Sequence, residues 1–263
     1  MEPLHYEVLL RMDYDDIVRL MALTRSNPEI SGILLNIHQD QNFWYQKLSN
    51  QLKTFFDPDV NWLRVYKFLE GGLTEDKLIV AAEKGLLPEV EILILNGVNP
   101  AANNNDAIRS ASQRGHVAVV DRLLKDKRVD PASKNNEAIR GASQNGYLEV
   151  VNRLLQDNRV DPSADKNYAV ITASSRGHLA VLDSLLKDSR VDPGVNDNII
   201  LYNAVYQGNV AVLDRLLKDS RVFFEVDNNH LLQTARNRGN VSVVNRLLSD
   251  PRFINDHPVS AKK

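Results

Sequence analysis

The groups able to do acid–base, nucleophilic or metal chemistry are six histidines and a set of aspartates and arginines that return in register; cysteine is absent. Without a thiolate there is no thiol nucleophile, disulfide, thiolate zinc site or thioester-carrying step. His116 and His178 each follow a glycine, in copies of a recurring segment two periods apart. With helices packed ~10 Å apart, two periods separate them by about 20 Å, too far to share an ion held by ~2 Å bonds. His5, His38, His230 and His257 fall at no ligand spacing, and H-E-x-x-H, P-loop, G-x-G-x-x-G and G-x-S-x-G patterns are missing. The Asp and Arg of D-x-R-V-D occur in several copies, whereas an active centre is normally unique. They read as turn and helix-end ion pairs. The expectation is a protein that is not an enzyme and needs no cofactor or metal.

The elements behind this spacing are legible from one glycine. Gly85, Gly115, Gly146, Gly177, Gly208 and Gly239 recur at a spacing of 30 and then 31 residues. Four residues before each stands an alanine (Ala81, Ala111, Ala142, Ala173, Ala204, Ala235), and between them lie Leu-Leu pairs at 123/124, 154/155, 185/186, 216/217 and 247/248. The alanine lets two antiparallel helices approach. The glycine closes the first helix in the left-handed conformation. Val117, Val120 and Leu124, then Leu148, Val151 and Leu155, read as the apolar stripe of the second helix. Asp130-Pro131, Asp161-Pro162 and Asp192-Pro193 read as its stop signal, and Asn105, Asn136, Asn167, Asn198 and Asn229 as N-caps of the next first helix. One helix pair cannot bury its apolar face, but stacked copies can, so the fold class is all-α, a helix-pair solenoid.

Composition agrees with a soluble chain. A hydrophobic share of 43% with 25% charged residues argues against disorder. A net charge of −2, from 32 basic and 34 acidic residues, argues against nucleic acid or an anionic membrane as a bulk electrostatic partner. No apolar run reaches the ~20 residues of a membrane span, and the N-terminus lacks a secretory pattern. The expected location is the cytosol or nucleus.

The glycine-aligned segments GHVAVVDRLL, GHLAVLDSLL, GNVAVLDRLL and GNVSVVNRLL resemble the ankyrin repeat, from residue 73 to about residue 256. The period is two below the usual ~33 residues, and Asp106-Ala107-Ile108-Arg109 stands where that family opens with Thr-Pro-Leu-His. The resemblance implies a partner protein on the concave face, made by first helices and connecting tips. On that face the two residues before each glycine vary: Gln113-Arg114, Gln144-Asn145, Ser175-Arg176, Tyr206-Gln207 and Asn237-Arg238. With Arg109, Arg140 and Tyr202 they form a polar, partly basic column carrying residue types that anchor interfaces. Ordinary solvated surface is the competing reading. Phe223-Phe224 occupy an Asp-Pro slot; they read as packed under a rearranged connection, the alternative being an exposed aromatic anchor.

Apolar periodicity places short helices over 3–12, 16–24 and 32–38, and a fourth carrying Phe43, Trp44 and Leu48. Asp57-Pro58 breaks the chain, and a helix over 60–70, ended by Gly71-Gly72, reads as a half-repeat covering the open end of the stack. Leu4, Val8-Leu9, Asp16-Ile17 with Leu20, and Phe43-Trp44 resemble an F-box, although His5 replaces the usual proline and no tryptophan follows Arg25. That resemblance implies docking to the Skp-type linker of a cullin–RING ubiquitin ligase. The combination, with its L-L-K-D-x-R-V-D-P dialect, is similar to repeat proteins of large DNA viruses of amoebae. The expected domains are 1–55 (F-box-like), 56–72 (capping half-repeat), 73–257 (about six repeats) and 258–263 (tail).

Overall fold

The computed structural model describes residues 72–222 and 228–254, and all the elements in them are α-helices. The chain forms two compact units, residues 1–77 with 88–98, and residues 78–87 with 99–263. In the first unit, α2 (Leu87–Leu95) buries Glu89, Val90, Glu91, Ile92, Leu93 and Ile94, which is burial nearly all round. The second unit is a stack of helix pairs, with α1 (Glu75–Glu83) mostly within it. Its first helices are α3 (Ala102–Arg114), α5 (Ser133–Asn145), α7 (Ala164–Arg176), α9 (Val195–Gln207) and α11 (Asn228–Asn237). Its second helices are α4 (Val117–Leu124), α6 (Leu148–Leu155), α8 (Leu179–Leu186), α10 (Val210–Leu217) and α12 (Val241–Leu248), with α13 (Pro251–Ile254) last.

Each first helix packs on its own second helix and on the next first helix. The core repeats with the period. Ala107, Ile108, Ala111, Val119, Val120, Leu123 and Val129 are buried in one copy, and Ala138, Ile139, Ala142, Val150, Val151, Leu154 and Val160 in the next. The second helix therefore buries Val119, Val120 and Leu123, with Val117 and Leu124 only half-buried. The stripe is rotated from the expected Val117–Val120–Leu124 line because this helix meets both its own first helix, α3, and the following second helix, α6.

Two further corrections concern the connections. Each second helix ends at its Leu-Leu pair, before Asp-Pro is reached. The chain then turns through Asp126 N to Leu123 O (3.0 Å) and Val129 N to Asp126 O (3.0 Å). The asparagines are not N-caps. Asn103, Asn104 and Asn105 all have left-handed backbone (φ 51°, 58° and 62°), as do residues 134–136 and 165–167. Left-handed conformation costs ordinary residues ~1–2 kcal/mol each, less for asparagine. The compensation is a side chain aimed across the stack. Asn105 Oδ1 accepts the Asp130 N–H at 2.8 Å, Asn136 Oδ1 that of Asp161 at 2.8 Å, and Asn167 Oδ1 that of Asp192 at 2.9 Å. Each asparagine thus satisfies a donor of the following repeat.

The glycines close the first helices in left-handed conformation as expected, with φ 81° at Gly115 and 78° at Gly146. They also leave room for a neighbour. A Cβ on Gly115 would stand 2.6 Å from the Tyr147 ring, and one on Gly146 2.6 Å from His178 Nδ1. Asn136→Ala is expected to destabilise the protein by about 2 kcal/mol, losing one hydrogen bond and straining φ. Asn136→Gly, which relieves the strain, costs roughly half that. Urea denaturation of the two variants separates the terms.

Candidate functional site

The recurring polar groups are occupied by one another. Asp126 Oδ1 accepts the Arg128 backbone N–H and Nε–H, each at 3.0 Å, and Oδ2 accepts Nη2–H at 2.7 Å. The same bidentate clamp closes at Asp157–Arg159, Asp188–Arg190, Asp219–Arg221 and Asp250–Arg252. The arginine also ties repeats together. Nη1 of Arg159, Arg190 and Arg221 donates to the carbonyls of Val129, Val160 and Val191 at 2.7, 3.0 and 3.0 Å. Hydrogen bonds from the guanidinium hold all five aspartates below the ordinary carboxylate range, outweighing burial. Near neutrality they are anions, each paired with its own arginine.

The histidines serve the stack as well. His116 Nε2 donates to the Glu83 carbonyl at 2.8 Å and His178 Nε2 to that of Gln144 at 3.1 Å. A carbonyl only accepts, so Nε2 carries the proton in both. Tyr147 takes the intermediate place, its ring over Gly115. Among the described residues no three His, Asp or Glu side chains are grouped to hold a metal. The second helices carry a ladder of their own: Arg153–Asp121 at 3.3 Å, Ser184 to Asn152, Arg215–Asp183 and Arg246–Asp214.

What remains is the strip on the first helices. Gln113, Arg114, Asn145, Arg176, Tyr206, Gln207, Asn237 and Arg238 are exposed; Gln144, Ser175 and Tyr202 are half-buried. Arg109 and Arg140 differ from the rest. Their side chains are only 15% and 21% exposed, against 60% for Arg114. Arg109 meets Glu137 and Asp106 and donates through Nε to the Asn104 carbonyl at 3.2 Å. Arg140 reaches Asp165 at 2.9 Å and the Asn135 carbonyl at 3.2 Å. These two arginines fasten the left-handed turns and form the floor of the strip. Between them lies a cavity of about 90 Å³, lined also by Gln113, Glu137, Gly141, Gln144 and Tyr168. Tyr168 had no place in the sequence expectation. It stands where Asp106 and Glu137 stand in earlier copies, and its ring lies under Arg140, with Cζ 4.9 Å from the centroid.

A family model described as ankyrin repeats in three copies matches residues 78–168 and again 139–230, more than half of the chain. The chain belongs to the ankyrin-repeat family. Its array is a protein-interaction scaffold, the role typical of that family. No curated protein matches the chain. Among the described residues no helix is long and apolar enough to cross a membrane. Leu4, Val8, Leu9, Asp16, Ile17, Leu20, Phe43-Trp44, the 60–70 helix and Phe223-Phe224 lie outside the described residues.

The clamps give the ankyrin array a defined acid response. Carboxylates held below their ordinary value stabilise the fold in full above about pH 4, the unfolded value, and lose that stabilisation as pH falls through the lower folded value. The urea midpoint is expected to drop as pH is lowered below about 4. Asp157→Asn, which removes one clamp, lowers the midpoint at neutral pH and makes the acid slope shallower. An unchanged slope would show that the clamp carries no linkage.

Proposed function

We propose that the first-helix strip is the contact surface of the scaffold, and that it binds a protein partner through the residues before each glycine with Tyr202 and Arg238. The carrying observation is the division of polar groups. Asn105, Asn136 and Asn167, the aspartate–arginine clamps, and His116 and His178 are consumed between repeats. The strip residues are exposed or half-buried, and the pair before the glycine differs from copy to copy. Aromatic, arginine and amide side chains on rigid helices lose little freedom when a partner settles on them. Three of the column's five arginines do not present a bare positive field. Arg109, Arg114 and Arg140 are each met by carboxylates, at Glu137 and Asp106, Glu83, and Asp165. This favours a protein over a polyanion such as nucleic acid.

A photo-crosslinking residue placed at Asn145 or Gln207 of the full chain is expected to give adducts with the bound partner. The same residue at Glu149, exposed on a second helix, is expected to give none. Adducts from Glu149 alone would move the contact surface off the strip.

A second reading rests on the spacing Leu4, Val8-Leu9, Asp16-Ile17 and Phe43-Trp44. On it, residues 1–55 dock the Skp-type linker of a cullin–RING ligase, residues 56–72 join them to the repeats, and residues 73–257 present a target for ubiquitin transfer. The similarity to repeat proteins of amoebal DNA viruses would make the ligase that of a host cell and the location its cytosol or nucleus. Purified linker subunit mixed with the full chain is expected to co-elute, and Leu9→Asp to weaken the complex by about tenfold or more. Absence of co-elution removes the adaptor role and leaves the scaffold intact.

A further inference from the structure

An arginine lies over a tyrosine twice on the strip, and the two contacts differ in one respect. Arg140 lies over Tyr168, and its charge is met by Asp165 at 2.9 Å. Arg238 lies closer to its ring, with Cζ 4.2 Å from the Tyr206 centroid. Its Nε donates to the Tyr206 carbonyl at 3.2 Å. Among the described residues it forms no ion pair. The guanidinium is therefore held by its face and by one N–H. Its two terminal nitrogens remain as a planar donor fork on an exposed residue.

The ring beneath it belongs to a longer stack. Tyr206 stacks on Tyr202 with centroids 6.0 Å apart, and Tyr202 on His230 at 5.6 Å and 14° between planes. Tyr206 is 38% exposed and His230 is exposed. The stack runs across two neighbouring first helices, α9 and α11. Exposed aromatic surface beside an unneutralised, pre-oriented cation is complementary to one kind of side-chain pair. A carboxylate matches the fork in geometry and charge. An apolar or aromatic residue beside it matches the tyrosine faces. Since both rings and guanidinium are already fixed, little ordering cost falls on the bound state.

We infer that the Arg238–Tyr206–Tyr202–His230 stack is the anchor for an acidic segment of the partner protein, with an aspartate or glutamate seated on Arg238 and an apolar neighbour on the tyrosines. This deepens the strip reading and rests on it. The Arg140–Tyr168 station does not serve the same purpose, because an incoming carboxylate there must compete with Asp165.

The test selects short random peptides against the full chain and measures the affinity of a selected peptide. The expected peptides are enriched in Asp and Glu next to an apolar or aromatic residue. Arg238→Ala weakens binding by about tenfold. Replacing the peptide carboxylate by its amide weakens it by a similar factor, and the two changes together weaken it no further, since they remove the same contact. Arg238→Lys, which keeps the charge without the fork or the stacking plane, remains weakened. Tyr206→Ala, which removes the ring beneath the guanidinium, also weakens binding. Arg153→Ala, on the second helices, removes equal charge without effect. Selected peptides lacking acidic enrichment, or losses that simply multiply when both changes are made, would overturn the assignment while leaving the strip as a binding surface. A library yielding no binder would overturn both.

Discussion

An amide oxygen that reaches past its own repeat is the contact on which the stack's geometry turns. Asn105, Asn136 and Asn167 each accept a backbone N–H located 25 residues further along the chain. The reach requires left-handed backbone at the asparagine and its two predecessors, a conformation that local energetics disfavour. It persists because the turn is over-determined. Its carbonyls are taken by Arg109 and Arg140, and by the Ser133 hydroxyl at 2.8 Å from the Asn104 carbonyl. Once the turn is set, the next connection can sit at only one height. The aspartate that donates through its backbone then folds its own carboxylate back on the chain. Asp130 Oδ1 accepts the Ala132 N–H at 3.0 Å, and Asp161 and Asp192 do likewise for Ser163 and Gly194.

That arrangement explains where the recurring charged groups of the described repeats are spent. A catalytic group needs an unused valence facing a substrate. Here the valences face the next repeat. The clamp arginine spends Nε and Nη2 on its aspartate and Nη1 on a carbonyl one repeat back. The histidines spend Nε2 in the same way. The strip is only partly spent in this way: Asn145 donates to the Gln113 carbonyl at 3.0 Å and Arg238 to that of Tyr206 at 3.2 Å, and both residues stay exposed.

Much of the architecture was readable without coordinates. Alanine, glycine and the leucine pairs carry the helix-pair stack because close approach, a left-handed stop and an apolar seam admit few other residues. The left-handed turn was not readable. Asparagine before a helix is equally at home as an N-cap and in left-handed backbone. Only the position of the following repeat, bringing the Asp130 N–H to its oxygen, separates the two. The phase of the second-helix stripe was misplaced for a related reason. Eight residues supply barely two turns, and the side that is buried depends on neighbours to front and rear. On the strip, the residues that vary beside a constant glycine lie at the ends of the first helices, where the helix-pair reading puts them. Their unequal exposure, and the entry of Tyr168, follow from contacts between copies that no single copy contains.

The bonds that fasten one repeat to another all join equivalent positions shifted by one copy or by a fixed offset within the next. A whole repeat of 31 residues inserted into such an array would bring one new asparagine acceptor, one new clamp, one new ring for a glycine and one new rung for the second-helix ladder. It would leave no donor or acceptor stranded on either side of the insertion. An insertion of any other size would shift every later partner out of register. Length in this array is therefore quantised: chain can be gained or lost in whole copies at almost no mismatch, and each copy gained lengthens the outward strip by one pair of freely chosen residues.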